Sequence, residues 1–253
     1  MKKAIIITSA IELSNDHPLT YSKTRTYFTP EERFRQTVMT VANFDIASDQ
    51  DTTIFLVDAS ENYLIYAANF SYQKNLRYIS VKEKFPEIFK TVITHPNKSY
   101  CEQLLLYTFI TAFRQELDQF DILFKATGRY FVDGSFDLDF FNTNVRSGFY
   151  FKEPIGFPWN DNWGYNIVDR RHIQGNNLLY QYCTILYAWH KDYTDRFLDI
   201  SKVIIEFCSH PQGMGYDVET LLFFFTRQYE ENITHMPWTV YGWVATDGRF
   251  LRY

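Results

Sequence analysis

The stretch Phe124-Lys125-Ala126-Thr127-Gly128-Arg129-Tyr130-Phe131 sits near the middle of the chain and follows a strand-like run, Phe120 to Phe124. A cation at the end of a buried strand is costly unless it is paired or faces a polar ligand. Lys125 and Arg129 flank Gly128, and a glycine lets backbone approach a ligand closely. In a doubly wound α/β fold, ligands bind at the carboxyl ends of the strands. The stretch therefore predicts an anion site at a sheet edge, with phosphate as the expected anion.

On both sides of it, strand and helix signals alternate. Ala4 to Thr8 reads as a short buried strand, Thr53 to Val57 as a second that ends at Asp58, and Tyr78 to Val81 as a third. Asp121 to Lys125 is the central strand, with a turn and loop from Gly128 to Asp139. Phe149 to Lys152 and Trp238 to Ala245 are further strands, and Asn177 to Trp189 mixes strand and helix signals. Thr29-Pro30-Glu31-Glu32 is a helix start. Thr29 can cap, Pro30 suits the first helical position and Glu32 can close a capping box. Phe34, Val38, Val41 and Ala42 recur at helical spacing and carry that helix to about Asn43. Tyr100 to Leu117, Tyr193 to Ser209 and Asp217 to Glu230 also read as helices. The alternation predicts an α/β fold with a Rossmann-type, mainly parallel sheet and helices on both faces. No repeat, low-complexity tract or linker divides the chain, so one domain over residues 1–253 is expected.

Composition narrows the function. The 253 residues carry a formal net charge of -5 and no basic tail cluster, which argues against nucleic acid as a partner. Cys101, Cys183 and Cys208 are scattered without a CxxC, which fits unpaired thiols in a reducing compartment. After Met1-Lys2-Lys3 the apolar run Ala4 to Ile7 is too short for a secretion signal and reads as a strand. No run approaches the roughly 20 apolar residues of a membrane span. Aromatic residues make up 19% of the chain, enough that some rings are expected to line a groove rather than fill the core.

Several motifs then fall in a familiar order. Lys23-Thr24-Arg25 through Thr29-Pro30-Glu31-Glu32-Arg33-Phe34-Arg35-Gln36-Thr37 resembles the first helix region of a group of bacterial surface-polysaccharide glycosyltransferases. Asp58-Ala59-Ser60-Glu61 resembles that group's Asp-Ser-Ser-Glu turn, with Ala59 in place of the second residue and both carboxylates kept. Asn97-Lys98-Ser99 before a helix and Phe124 to Tyr130, a Phe-Lys-x-Thr-Gly-Arg-Tyr element, are similar to two more of its motifs. So is the late helix with Asp217-Val218-Glu219. The closest activity in the group is that of the O-antigen and lipooligosaccharide sialyltransferases of glycosyltransferase family 97. The resemblance implies a GT-A-like fold and an inverting glycosyltransferase. Its donor would be CMP-sialic acid or a related nonulosonic acid. Its acceptor would be a lipopolysaccharide, lipooligosaccharide or capsule glycan, met in the cytoplasm with peripheral contact at the inner face of the membrane.

Glycosyl transfer needs a held leaving phosphate, a base for the acceptor hydroxyl, and a site sheltered from water. Arg129 offers a planar fork for phosphate, Lys125 and Lys98 offer point charges, and Ser99 offers a donor at a helix start. Arg25, Thr127, Gly128 and Tyr130 complete the expected donor site, with surface ion pairing as the rival role for the arginines. Asp58, Glu61 and Glu219 are the candidate bases; the rivals are a helix cap for the first two and a first-turn dipole contact for Glu219. Trp159, Trp163, Arg170 and Arg171 are candidates for the acceptor, against core packing and internal ion pairs. Asp137-Leu138-Asp139 matches an Asp-x-Asp metal element by letter, but such a pair is common in an acidic chain. No cofactor is expected for a CMP donor. A divalent metal belongs to the alternative reading, a UDP- or GDP-hexose transferase using Asp137 and Asp139. A non-catalytic carbohydrate-binding protein is the second alternative.

Overall fold

The computed structural model describes residues 1–158, 178–210 and 217–253. Its centre is a seven-stranded sheet among these residues, in the order β10-β6-β9-β4-β1-β2-β3. The strands are β1 (Lys3–Ser9), β2 (Thr52–Asp58), β3 (Leu76–Ser80), β4 (Ile122–Thr127), β6 (Phe149–Lys152), β9 (Leu186–His190) and β10 (Ile233–Met236). β3, β2, β1 and β4 run parallel, as do β6 and β10, while β9 is antiparallel to both β4 and β6. The sheet is therefore mainly parallel.

Alternation along the strands sorts the core into two layers, because successive side chains leave opposite faces. Ile6, Phe55, Val57 and Leu123 face one layer. There they meet Phe89 and Val92 of α4 (Pro86–Thr94), Leu105 and Phe109 of α5 (Lys98–Ala112), Phe197 of α8 (Thr194–Ser209) and Leu221 of α9 (Val218–Thr226). Ile5, Ile7, Leu56 and Phe124 face the other, against Val41 and Phe44 of α1 (Pro30–Ala47), Phe136, Leu138 and Phe141. Each fully buried Ile of β1 is worth roughly 1.5–3 kcal/mol of removed apolar surface. On this second face a small antiparallel sheet joins the helices: β5 (Tyr130–Val132), β11 (Val240–Trp243) and β12 (Phe250–Arg252), in the order β12-β11-β5. A third pair, β7 (Ile155–Pro158) with β8 (Leu178–Gln181), stands beside the main sheet.

α1 begins as its sequence predicts. Thr29 accepts from the Glu32 amide, the Glu32 carboxylate accepts from the Thr29 amide, and Pro30 fills the first turn. The differences lie elsewhere. The central strand does not stop at Lys125; it continues to Thr127, so Lys125 lies within it. The expected loop from Gly128 to Asp139 contains β5. The segment around Trp238 to Ala245 holds only β11, with β10 formed just before it. α2 (Tyr63–Phe70) and α4 carry no expectation from the sequence; neither start has a side-chain cap.

The topology fixes where a cleft opens. β1 leads to β2 on one side, and the chain returns to β4 on the other side of β1. That reversal leaves a crevice beyond the carboxyl ends of β1 and β4. Thr8 is in register with Thr127 there, and Ser9 with Asp58. No helix among the described residues is long and apolar enough to cross a membrane.

Candidate functional site

A two-lobed cleft occupies the crevice. Its inner lobe, about 650 Å³ and open to solvent, is lined by Ser9, Arg25, Arg33, Lys98, Glu102 and Arg129 among others. The outer lobe, about 1100 Å³, is lined by Tyr21, Tyr130, Tyr182, Thr184, Glu219 and Tyr253 among others. Lys98, Glu102, Thr127, Arg129 and Ala245 belong to both lobes, so the two form one site.

Gly128, between Thr127 and Arg129 of the lining, is not itself part of it and packs behind the cleft against β1 and α1. Its amide donates to Thr8 O at 2.9 Å, and its carbonyl accepts from Thr37 Oγ1 at 3.1 Å. A Cβ there would lie 3.1 Å from Ser9 Cβ and 3.2 Å from Thr8 O, tighter than ordinary packing. The turn that borders the cleft on the other side needs Gly248, whose φ is +73°.

Arg129 is 6% exposed and lines both lobes. Among the described residues its guanidinium makes one long hydrogen bond, from Nε to Trp243 O at 3.4 Å, and no ion pair. Lys98 lies on the same wall and is open to the cleft. Displacement of bulk water by surrounding protein, and then repulsion from Arg129, lower its pKa.

Lys125 behaves differently from the expectation. Its side chain leaves β4 toward the α5 layer and is completely buried. The ammonium pairs with Glu102 and donates to Thr127 Oγ1 at 2.8 Å and Thr184 O at 2.7 Å. All three of its protons are spent inside the protein, so it supports the cleft without facing it. The cause is strand length: two more residues of β4 carry Lys125 inside the sheet.

Arg25 is held by backbone carbonyls. It borders the inner lobe, but its guanidinium donates to the carbonyls of His17, Val92 and His95 at 2.7–3.1 Å. It clamps the loop after β1 to the end of α4. Arg33, missed as a site residue in the sequence, does a similar task by donating to Ala10 O and Thr26 Oγ1. Ser99 accepts from the Val218 amide at 3.0 Å, tying α5 to the start of α9, and does not line the cleft.

The carboxylates separate into distinct environments. Asp58 is fully buried, accepts from Tyr78 Oη at 2.7 Å and from the Ile11 amide at 3.4 Å, and lies outside the cleft lining. Burial raises its pKa against these bonds. Glu61 is exposed and pairs with Lys82, away from the cleft. Glu219 is the one candidate base that lines it. It stands in the first turn of α9, which Asp217 caps by accepting from the Thr220 amide at 2.7 Å. Thr184 Oγ1 donates to Glu219 Oε1 at 2.9 Å. Burial, then the negative charges of Asp217 and Glu102, push its pKa up to about 7.

Glu102 lines both lobes, and sequence reasoning missed it. Burial works against its charge, but Lys125 and Lys98 outweigh burial and hold its pKa below the ordinary value. Its spacing from Lys98, i and i+4 on α5, was the available signal, since such residues share a helix face. One cleft thus holds a carboxylate locked in its charged form and a second poised near neutrality.

Asp137 and Asp139 lie away from this site. Asp137 Oδ1 accepts from the Asp139 amide at 2.8 Å, and Asp139 Oδ1 accepts from Asn142 Nδ2 at 3.1 Å. They shape the entry to a short helix, α7 (Phe140–Asn144), and the Asp-x-Asp match is a turn motif. Trp159, Trp163, Arg170 and Arg171 fall outside the described residues. The tail Phe250–Arg252 is strand β12, and Tyr253 after it lines the outer lobe.

No protein-family model matches the chain, and no curated protein matches it. Among solved structures it is similar to the apo structure of WbbM, a bifunctional glycosyltransferase, at 10% identity and a TM-score of 0.45. The match covers 94% of this chain, which spans 38% of the length of that structure.

Proposed function

We propose that this protein is a glycosyltransferase of GT-A-like design that binds a nucleotide sugar in the two-lobed cleft and passes the sugar to a glycan hydroxyl. One observation carries the reading. A buried arginine that makes no ion pair among the described residues and a carboxyl poised near neutrality line the same crevice at the sheet's switch point. An unpaired buried cation is costly, so its retention points to an anion supplied by a ligand. Arg129 and Lys98 would hold the donor phosphate and stabilise its charge as it leaves. Thr127, which lines both lobes, would stand beside it. Glu219 would take the proton of the attacking hydroxyl, because a base works best when its pKa lies near the operating pH. Glu102, held ionised by two lysines, adds the charge that keeps Glu219 raised. The two carboxyls are pushed apart in pKa, a pattern that assigns proton roles.

Direct displacement with inversion follows from this assignment of one base and one cationic clamp. The favoured donor is CMP-sialic acid or a related nonulosonic acid, because a monophosphate leaving group needs less charge compensation than a diphosphate. Arg129 and Lys98 suffice for it without a metal ion. A cytoplasmic setting, with the acceptor a lipopolysaccharide, lipooligosaccharide or capsule glycan, belongs to the same proposal.

The test is Glu219→Gln assayed with CMP-linked donor over pH 5.5–8.5. Wild-type kcat should rise with pH through an apparent pKa near 7. The variant should keep nucleotide affinity and lose roughly 100- to 10,000-fold in kcat. Wild-type kcat in the variant removes Glu219 as base.

A further inference from the structure

A second pocket, of about 640 Å³, lies across the β7–β8 strand pair from the outer lobe. Tyr180, Tyr182 and Phe223 supply its rings, and Arg227, Glu230 and His235 its polar groups. Tyr180 and Phe223 are stacked at 5.5 Å, and Tyr182 meets Phe223 edge-on at 5.2 Å. Tyr182 is itself braced by Phe151, stacked behind it at 4.1 Å. The rings are therefore fixed in place before any ligand arrives.

The charge here differs from that of the cleft. Arg227 lies over the Phe223 ring at 5.8 Å, Glu230 stands in the same lining, and His235 Nδ1 is 3.2 Å from Glu153 Oε2. Cation and anion are balanced, so the pocket has no cationic excess with which to hold a phosphate. Flat apolar faces edged by a few donors and acceptors suit a pyranose, which has apolar C–H faces and a polar rim. Tyr182 lines both this pocket and the outer lobe. Ile155 and Phe157, 39% and 37% exposed on β7, line the outer lobe on the other side of the strand pair. Gly156 between them pairs with Tyr180, and a Cβ there would meet the Tyr180 ring at 3.2 Å.

We infer that this pocket is a subsite for an uncharged sugar of the acceptor, bound while a neighbouring sugar of the same glycan presents its hydroxyl to Glu219. The acceptor is then an oligosaccharide that crosses the β7–β8 strand pair, not a monosaccharide. The inference rests on the transferase reading for its direction, but the pocket's own chemistry can be tested apart from it.

Binding is measured by saturation-transfer NMR with soluble oligosaccharides of galactose, glucose and N-acetylhexosamine, from disaccharides upward. The proteins are wild type, Tyr180→Ala and Arg227→Ala, each first shown to melt cooperatively. Wild type should bind, with affinity rising from monosaccharide to oligosaccharide, and each variant should bind about tenfold more weakly or not at all. No oligosaccharide binding by wild type, or wild-type affinity in both variants, overturns the subsite. CMP-induced thermal stabilisation of wild type is read in parallel. Stabilisation by CMP without oligosaccharide binding removes the subsite alone. Oligosaccharide binding lost in both variants, without stabilisation of wild type by CMP, keeps the pocket as a sugar site and removes the CMP-donor transferase reading.

Discussion

Lys125 and Glu102 form a buried ion pair, with side-chain exposures of 1% and 16%. Lys125→Met would leave Glu102 with one fewer countercharge in a dense site. Breaking such a pair from one side typically costs about 3–5 kcal/mol. Urea unfolding should show that loss, and Lys125→Met combined with Glu102→Leu should recover part of it. A loss under about 1 kcal/mol for the single variant would mean that the pair is not a structural brace. The contrast with Arg129 is instructive. Both residues were legible as cations flanking a glycine, but which one faces the ligand was not. That depends on which face of β4 a residue leaves and on how far the strand runs, and the second depends on pairing with β1 and β9.

At the scale of elements, legibility follows the range of the forces. α1 could be read from Thr29-Pro30-Glu31-Glu32 because its cap is made by residues three apart. β11 was legible, though with longer bounds, but β5 and β12 were not: each is three residues long, and β5 exists through pairing with β11 far along the chain. α2 escaped because Asn62 makes no side-chain cap bond and Leu64 and Ile65 are exposed, so the helix shows no inward stripe. The turn from Val244 to Gly248 borders the cleft and closes with the Gly248 amide donating to Val244 O at 3.0 Å. Gly248→Ala must place a Cβ on a left-handed residue, at about 1–2 kcal/mol. The exposed Tyr27 ring beside it can swing away, so backbone strain dominates the cost. A melting temperature unchanged from wild type would contradict this account of the turn.

For the whole molecule, the cleft is a consequence of strand order. Thr8, Ser9, Thr127 and Arg129 meet because β1 lies between β2 and β4, and no local pattern encodes that order. Glu219 was legible as a first-turn carboxylate, yet its poise comes first from burial in the folded cleft, then from Asp217 beside it in the chain and Glu102 brought from α5. That poise has a stability consequence. A carboxyl whose folded pKa is raised stabilises the fold only while it stays protonated, and that contribution fades as pH rises from the unfolded value toward about 7. Glu219→Gln should therefore gain stability relative to wild type between pH 5 and pH 8, by an amount on the order of 2 kcal/mol. A pH-independent difference between the two proteins would show that Glu219 is not held protonated by the fold.

The central claim is that Arg129 waits in this cleft for a ligand's phosphate, and the direct measurement is thermal unfolding of wild type and Arg129→Ala with CMP, UDP and GDP, without and with manganese. At about 100-fold over Kd, binding adds about 2.7 kcal/mol, or roughly 5–10 °C for a chain of this size. The account predicts such a rise for wild type with CMP in metal-free buffer, and its loss in an Arg129→Ala protein that still folds. A wild type that no nucleotide stabilises, or an Arg129→Ala protein stabilised as fully as wild type, would contradict it.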